Sequence, residues 1–440
     1  MQPYQALFAP ILQKLQIEAL NEVQLATIEA SRQENDIVLL SPTGTGKTLA
    51  FLLPLLAGLK EEKKQVQALI LTPTRELAMQ IESVFKDMKT PHKVTCCYGG
   101  HAMRVEQQNL IDPPALLIAT PGRLVDHIKR ENIDLSKVKL LVLDEFDKSL
   151  EFGFQEDMGF IIKQLTGLQK RILTSATESI KIPDFTGIGK PIRLHFIPKK
   201  SAGKKLDIKI VQSPEKDKLQ TLLKLIGNLE PGAMIVFCNH RESAERVSEF
   251  LFDNNIIHDY FHGGLEQKER EKTLVKFRNG TVQIMVSTDL AARGLDIPDI
   301  KYIVHYHLPP TADAFTHRNG RTARMDAKGS AFLILNEEEN IPGYVEGDPQ
   351  IFYLKECPPP AAPAWDTLFI GKGKKDKINK VDIVGFLSKQ GGLKKEDVGL
   401  IEVKDFFAYV AVKRDKITEV LDKVKHEKIK GKRVKMEVAL

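Results

Sequence analysis

The chain has 440 residues, enough for about three domains. Its apolar content of 42% and charged content of 28% fit a globular protein in water, and no uncharged apolar run is long enough for a membrane span. The net charge of +6 is unevenly placed: residues 366–440 hold 19 Lys and Arg against 12 Asp and Glu, an excess of +7, so the preceding residues sum to −1. A basic tail of this kind points to a polyanion partner. The N-terminus has no basic stretch leading into an apolar core. Cys96, Cys97, Cys238 and Cys357 form neither a CxxC pair nor a metal-ligand spacing. A cytoplasmic protein with reduced thiols is therefore expected, with no secretory leader, no membrane and no oligomer implied.

The first 200 residues alternate short apolar runs with amphipathic stretches. DIVLLS (36–41), ALILTP (68–73), VTCCYGG (94–100), ALLIAT (115–120), LLVLDE (140–145) and RILTSAT (171–177) read as strands, with helical patterns such as TRELAMQIESVFKDM between them. The alternation predicts βαβ units around a parallel sheet covered on both faces. After a basic connector, IPKKSAGKKLD, the pattern resumes over 207–355 with AMIVFCN, IIHDYFHGG, VQIMVSTD, KYIVHYHLP and GSAFLILN as strands. CPPPAAPAW (357–365) is too rich in proline for a helix or a central strand and marks a second break. Residues 366–440 offer four strands and two helices in the order βαββαβ, an arrangement used by many RNA-recognition domains. The predicted fold is α/β: two tandem parallel-sheet domains, 1–200 and 207–355, then a small α+β domain at 366–440.

SPTGTGKT (41–48) lies between a strand and an apolar helix. Gly44 and Gly46 let successive N–H groups turn toward phosphate, Lys47 reaches the β- and γ-phosphates, and Thr48 can hold Mg2+ through its hydroxyl. Ser41 stands where the strict phosphate-loop pattern has Gly, and Thr43 and Thr45 fill the variable positions. About 100 residues on, LLVL runs into Asp144, Glu145, Phe146 and Asp147. Phosphate-loop NTPases place a metal-binding carboxylate at the end of a neighbouring strand, which is the position of Asp144. Glu145, one residue on, is suited to orient and deprotonate an attacking water. Alternation along an extended strand predicts Phe146 on the side opposite Glu145 and Asp147, in core near Phe152, Phe154 and Ile161.

With these two motifs placed, residues 8–335 resemble the DEAD-box ATP-dependent RNA helicases. PTREL (73–77), Gly99-Gly100, TPGR (120–123), SAT (175–177), QKER (267–270), STDLAARGLD (287–296) and HRNGRTAR (317–324) follow in the family's order. The resemblance implies two RecA-like lobes that bind ATP and Mg2+ between them, with RNA lying across both. Nucleotide contacts are implied at Gln24, at Ser41, Thr43, Gly44, Thr45, Gly46, Lys47 and Thr48 of the loop, and at Gly294 and Asp296; Asp289 also lines the cleft. Arg321 and Arg324 are implied as arginine fingers, whose planar guanidinium suits phosphoryl oxygens. RNA-backbone contacts are implied at Pro73, Thr74, Arg75, Gly100, Thr120, Pro121, Gly122 and Arg123, and at Gln267, Arg270 and Thr288, which makes them largely independent of base sequence. Ser175 and Thr177 are implied to link hydrolysis to strand separation, and Asp147 to hydrogen-bond to the SAT and HRNGRTAR segments. Three departures stand out. Phe146 replaces Ala, Asn319 replaces Ile, and Gln16, Ile17 and Leu20 replace the Gly, aromatic and Pro ahead of Gln24.

The segments GKKDKINKVDIVGFLSKQGGL, FFAYVAV and IKGKRVKMEVA resemble the C-terminal RNA-binding domain of the bacterial DbpA type. That resemblance implies binding to a structured hairpin of large-subunit ribosomal RNA and a role in ribosome assembly. Lys374 and Lys375 in one loop, and Lys432 and Arg433 before the last strand, are the expected phosphate contacts. Phe406, Phe407 and Tyr409 offer candidate stacking faces, with Phe407 and Tyr409 on one side of the strand and Phe406 on the other. The expected function is an ATP-dependent RNA helicase that remodels structured ribosomal RNA during large-subunit assembly. The same motifs would serve an ATP-gated RNA clamp that separates little duplex. PTREL, TPGR and DEFD argue against a DNA translocase of the same superfamily.

Overall fold

A computed structural model of the chain describes residues 3–42, 44–61, 64–100, 103–177, 181–197, 206–289, 300–322 and 329–439. Thr43, Gly294, Asp296 and Arg324 lie outside these described residues. The described residues form two compact units, which divide near residue 203.

The first unit is built on a seven-stranded sheet of β1 (Ile37–Leu40), β2 (Ala68–Leu71), β3 (Val94–Cys97), β4 (Leu116–Ala119), β5 (Leu140–Leu143), β6 (Lys170–Ser175) and β7 (Ile192–His195), in the order β3-β4-β2-β5-β6-β1-β7. Every pairing is parallel. β1, β2 and β4 are buried at every residue, as strands are when helices cover both faces. Alternation sends Ile37, Ile70, Ile118 and Ile172 to one core with Phe51 and Phe85, and Val38, Leu69, Leu117 and Leu173 to the other with Phe146 and Met158. Since the strands are parallel, the loops that follow β1, β5 and β6 leave one edge of the sheet together.

Phe146 lies in that second core, fully buried with Met158 and Ile161, with Phe154 packed against the cluster. Its ring centroid is 6.4 Å from that of Phe185. Phe152 lies outside this cluster and meets Phe154 edge-on at 6.2 Å. The route differs from the one strand alternation predicts. β5 stops at Leu143, Glu145 takes a left-handed conformation (φ 46°, ψ 51°), and Phe146 opens the helix Phe146–Glu151. A backbone turn, not the pleat of a strand, swings the ring inward.

The second unit holds a parallel sheet of β8 (Asp207–Ser213), β9 (Ala233–Cys238), β10 (His258–Phe261), β11 (Ile284–Thr288), β12 (Ile300–His305), β13 (Ser330–Asn336) and β14 (Gln350–Ile351), in the order β10-β11-β9-β12-β13-β8-β14. The tail adds β15 (Trp365–Ile370), β16 (Val398–Val403), β17 (Ala408–Lys413), a short ribbon of β18 (Lys428–Ile429) and β19 (Lys432–Arg433), and β20 (Met436–Val438). Its antiparallel sheet runs β16-β17-β15-β20. Helices Lys380–Lys389 and Ile417–Val424 cover one face through Ile383, Leu387 and Val420, packed on Leu368, Ile370, Val410 and Val412.

The other face of the tail sheet docks on helix Gln267–Arg278. Tyr409 and Ala439 are buried with Val275, and Phe369 and Phe407 pack against them. Thr281 and Thr367 share a buried hydroxyl hydrogen bond of 2.6 Å, Asn279 Nδ2 donates to Thr367 Oγ1 at 3.2 Å, and Arg278 pairs with Glu402 at 2.8 Å. The connector is pinned as well. Asn228 exchanges two hydrogen bonds with the Lys355 backbone, and Arg414 Nε donates to the Pro363 carbonyl at 2.7 Å.

The single Trp365 lies in the second unit, so its fluorescence reports on that unit alone. Phe146→Ala should lower the stability of the first unit by about 3–5 kcal/mol, the usual cost of emptying a buried ring site. Urea unfolding should then show an earlier circular-dichroism transition with the Trp365 transition unmoved.

Candidate functional site

The phosphate loop leaves β1 at Ser41 and closes on helix Lys47–Gly58. Gly44 and Gly46 both have positive φ, 82° and 81°. At Gly46 a side chain is excluded twice over, because its Cβ would lie 2.6 Å from Gln24 Nε2. Gln24 is buried, donates to the Gly46 carbonyl at 3.4 Å and accepts from Asn21 N–H at 3.0 Å. Asn21 in turn caps helix Glu22–Ser31 and donates to the Thr45 carbonyl at 2.9 Å. Ser41, the departure from the loop pattern, shares a 2.7 Å hydrogen bond with the Thr45 hydroxyl. Lys47 Nζ donates to the carbonyls of Ser41 and Pro42 at 2.5 and 2.9 Å, and Thr48 follows it in the first helical turn, where backbone N–H groups favour anions.

The acids follow β5. Asp144 is buried, and Thr174 of β6 bridges it to its neighbour: its hydroxyl donates to Asp144 Oδ1 at 2.5 Å and accepts from Glu145 N–H at 3.2 Å. Burial and the adjacent Glu145 charge push the Asp144 carboxyl up to about 6. The buried Asp144 carboxylate, with a second carboxylate next to it, is an oxygen-donor setting that suits a hard divalent cation such as Mg2+. The left-handed backbone at Glu145 costs on the order of 1–3 kcal/mol, the kind of strain that clusters at functional sites. Thr177 Oγ1 donates to Asp147 Oδ2 at 3.4 Å and its N–H donates to Ser175 Oγ at 3.0 Å, so the SAT segment and the third acid meet within the first unit. Thr174 escaped the sequence reading, although it stands directly before SAT.

The expected RNA contacts of the first unit collect at the ends of β2, β3 and β4. Thr74 caps helix Arg75–Asp87, accepting from Leu77 N–H at 3.3 Å, and Thr120 and Pro121 open helix Pro121–Lys129. β2 and β4 are adjacent, so two helix N-termini emerge side by side. A Cβ at Gly99 would lie 3.2 Å from the Arg75 guanidinium, and Gly100 has φ 97°. Arg123 Nε donates to Glu106 Oε2 at 2.7 Å, and His127 Nε2 meets the same oxygen at 2.8 Å. Asn132 Nδ2 donates to His127 Nδ1 at 3.2 Å, which leaves the ring proton on Nε2. Glu106 and His127 are buried, and neither was legible in the sequence as a partner of Arg123. The Cys97 sulfur lies close by. Burial raises the pKa of that thiol, and Glu106 is already paired with Arg123 and His127, so the polar atoms here satisfy one another as a hydrogen-bond network.

In the second unit the residue that organises HRNGRTAR is Arg318, absent from the sequence reading. It is buried and makes a two-pronged pair with Asp289 at 2.5 and 2.7 Å. It also donates to Asn239 Oδ1 and the His307 carbonyl at 2.7 Å and lies over the Phe237 ring at 5.1 Å. Asn319 also finds its reason: its Oδ1 accepts from Nε2 of His305 at 3.0 Å. Burial and Arg318 push the His305 ring down to about 3, so it is neutral. Arg321 follows on the turn and is buried. Gln267 and Arg270 occupy the first turn of helix Gln267–Arg278, with Arg270 over the Phe261 ring at 5.1 Å, and Thr288 closes β11.

In the tail, Lys374 and Lys375 are exposed on a 3-10 turn, and Lys432 and Arg433 are exposed on β19. Lys432 Nζ donates to the Asp376 carbonyl at 2.9 Å and Lys430 Nζ to the Lys377 carbonyl at 3.0 Å, which gathers the two basic clusters on one side. Phe407 and Tyr409 do share a face, as alternation predicts, but it is the docked face. That removes both from the candidate stacking rings and leaves Phe406.

Asn319→Ile, which restores the family's residue, should destabilise the second unit by about 1–3 kcal/mol, the cost of a buried donor left without its acceptor. His305 stacks on Phe315 at 5.3 Å, so adding His305→Phe keeps the ring and removes the donor. The double variant should recover most of the loss, which a double-mutant cycle of urea unfolding will read as coupling.

Comparison with known proteins agrees with this geometry. Residues 21–185 match the DEAD/DEAH box helicase family, 217–326 the helicase conserved C-terminal domain, and 367–438 the DbpA RNA binding domain. The chain is 30% identical to the ATP-dependent RNA helicase DbpA of Bacillus subtilis over 95% of its own length and 94% of the relative's. It is 32% identical to that of Escherichia coli over 96% of each. A structure of Mss116p bound to single-stranded RNA and AMP-PNP superposes with a TM-score of 0.68 at 26% identity, covering 77% of this chain and 73% of that one. With both lobes and the tail domain shared along nearly the whole of these relatives, the chain belongs to the DEAD-box ATP-dependent RNA helicases and carries a DbpA-type RNA-binding domain after its second lobe.

Proposed function

We propose that this helicase remodels structured ribosomal RNA during large-subunit assembly in the bacterial cytoplasm, with the tail choosing the RNA and the two lobes acting on it. The observation that carries the reading is the tail. Its two basic clusters converge on one exposed side, and one face of its sheet is docked on the helix whose first turn holds Gln267 and Arg270. One helix thereby joins the tail to the candidate RNA contacts of the second lobe. The relatives named DbpA and the matched DbpA RNA binding domain support a shared target.

For ATP turnover we assign Gln24 to the adenine edge, and the loop residues Ser41 and Thr43–Thr48 to the phosphates. Asp144 and Thr48 would hold Mg2+, which supplies charge neutralisation at the β- and γ-phosphate oxygens. Glu145 orients the attacking water and takes its proton as the new O–P bond forms and the bridging P–O bond to ADP breaks. Arg321 and Arg324 stabilise charge on the transferred group, and Gly294 and Asp296 complete the nucleotide contacts. Pro73, Thr74, Arg75, Gly100 and the TPGR residues grip the RNA backbone, with Arg123 aimed by Glu106 and His127; Gln267, Arg270 and Thr288 do so in the second lobe.

Arg321→Ala should still bind ATP and RNA but turn over about 10³-fold more slowly, the usual loss for an arginine finger. Normal turnover in this variant removes Arg321 from the mechanism. The target is tested by crosslinking the full chain to total cellular RNA and sequencing the bound segments. Large-subunit ribosomal RNA should be strongly enriched. A variant with Lys374, Lys375, Lys432 and Arg433 all changed to Ala should lose that enrichment yet keep ATPase stimulated by any RNA, with a shallower dependence of binding on salt. Substitution is a cleaner test than truncation, since removing the tail would uncover Val275 and Asn279. Equal enrichment by both proteins would place the choice of RNA in the lobes.

A further inference from the structure

The turn between β16 and β17 carries a ring that the fold does not use. Phe369, Phe386 and Phe407 all pack within the second unit, on the tail's core or on the docked face. Phe406 is 67% exposed and joins no core cluster or ring pair among the described residues. Its position is nevertheless well defined. Lys374 N–H donates to the Lys404 carbonyl and Lys375 N–H to the Asp405 carbonyl, both at 2.8 Å. The two loops approach so closely at Gly373 that a Cβ there would lie 2.2 Å from the Lys404 oxygen. Backbone hydrogen bonds, not long side chains, therefore set the ring beside Lys374 and Lys375.

The charges around it are almost all positive in effect. Lys374 and Lys375 are exposed and pair with no carboxylate among the described residues. Asp376 is taken by Lys372 and Lys432, Asp382 by Lys430, and Glu402 by Lys404 and Arg278. Asp405, next to the ring in sequence, is exposed. An exposed, flat, apolar ring on a turn whose backbone is hydrogen-bonded to a loop of exposed lysines matches a polyanion that also offers flat apolar faces. Among biological polymers that is a nucleic acid with a base out of its stack.

We propose that Phe406 is a stacking platform for one unpaired RNA base, with Lys374 and Lys375 on the phosphates beside it. The inference deepens the reading that the tail binds RNA and rests on it. Stacking is tolerant of base identity but demands an unstacked base, whereas lysine–phosphate contacts are indifferent to both. Together they would make the tail prefer a stem closed by a loop, or a junction, to an uninterrupted duplex.

The test uses the full chain without nucleotide and two probes of one stem sequence: a stem–loop with 2-aminopurine at each loop position in turn, and the blunt duplex. Native protein should bind the stem–loop more tightly and quench one 2-aminopurine position. Phe406→Ala should weaken stem–loop binding about 10-fold, within the range for one lost base–aromatic stack. It should leave duplex binding and the salt slope unchanged and abolish the quench. Phe406→Trp should restore both affinity and quench. The site is exposed, so the fold does not depend on it, and an unmoved Trp365 unfolding transition verifies this. If Phe406→Ala binds the stem–loop as tightly as native protein, the stacking role is overturned, and the ring is then free for a protein partner. Lys374→Ala with Lys375→Ala separates this failure from the broader one. Weaker binding to both probes with a shallower salt slope keeps the tail as an RNA-binding domain, and native affinity for both overturns that reading and the stacking with it.

Discussion

Strand β6 hydrogen-bonds to β1 on one side and to β5 on the other, and all three run the same way. The chemistry of the first lobe depends on that pairing. The phosphate loop, the acids and the SAT segment lie far apart in the chain, yet they leave the same sheet edge as neighbours. Thr174 turns the adjacency into a bond, because from the end of β6 its hydroxyl reaches both Asp144 and the Glu145 backbone. The buried acid is held in place by that hydroxyl, with the Lys47 ammonium offsetting part of the cost of burying its charge. The strained backbone at Glu145 then does two jobs: it ends the strand beside the phosphate loop, and it turns Phe146 into the core, where burial offsets the strain.

The second unit solves a different problem with one sheet. An antiparallel sheet of four strands has two faces, and a small domain needs one for its own core. Here helices Lys380–Lys389 and Ile417–Val424 take that face and the lobe-two helix takes the other. Neither broad face of the sheet is left open, so recognition falls to the loops and to the β18–β19 ribbon. The basic residues are found there, held by Lys–carbonyl hydrogen bonds that draw the two clusters together.

Much of this was legible in the sequence, and the parts that were not share a cause. The strand runs, the phosphate loop, the acids and the βαββαβ order of the tail all rest on local patterns: periodicity, glycine placement and the run of residues after a strand. Buried polar pairs leave no such pattern. Nothing near Asn319 announces that His305, fourteen residues away on β12, needs an acceptor. Glu106 looks like one more acid in an amphipathic helix until Arg123 and His127 converge on it. Arg318 is one of three arginines in its motif, and only its pair with Asp289 singles it out. For Phe146 strand alternation named the right destination by the wrong path, because a left-handed glutamate cannot be read from composition. Tyr409 and Phe407 were legible as a shared face, but which surface covers that face is a tertiary fact.

Helix Gln267–Arg278 places the candidate RNA contacts in its first turn and the tail's docking residues in its last. Twelve residues of helix span about 18 Å. With the connector pinned at Asn228 and Arg414, the tail has little slack to vary that separation. The second unit is therefore built like a caliper: if the proposed contacts hold, an RNA that meets both the helix's first turn and the tail's loops would have to present its two features at a set spacing.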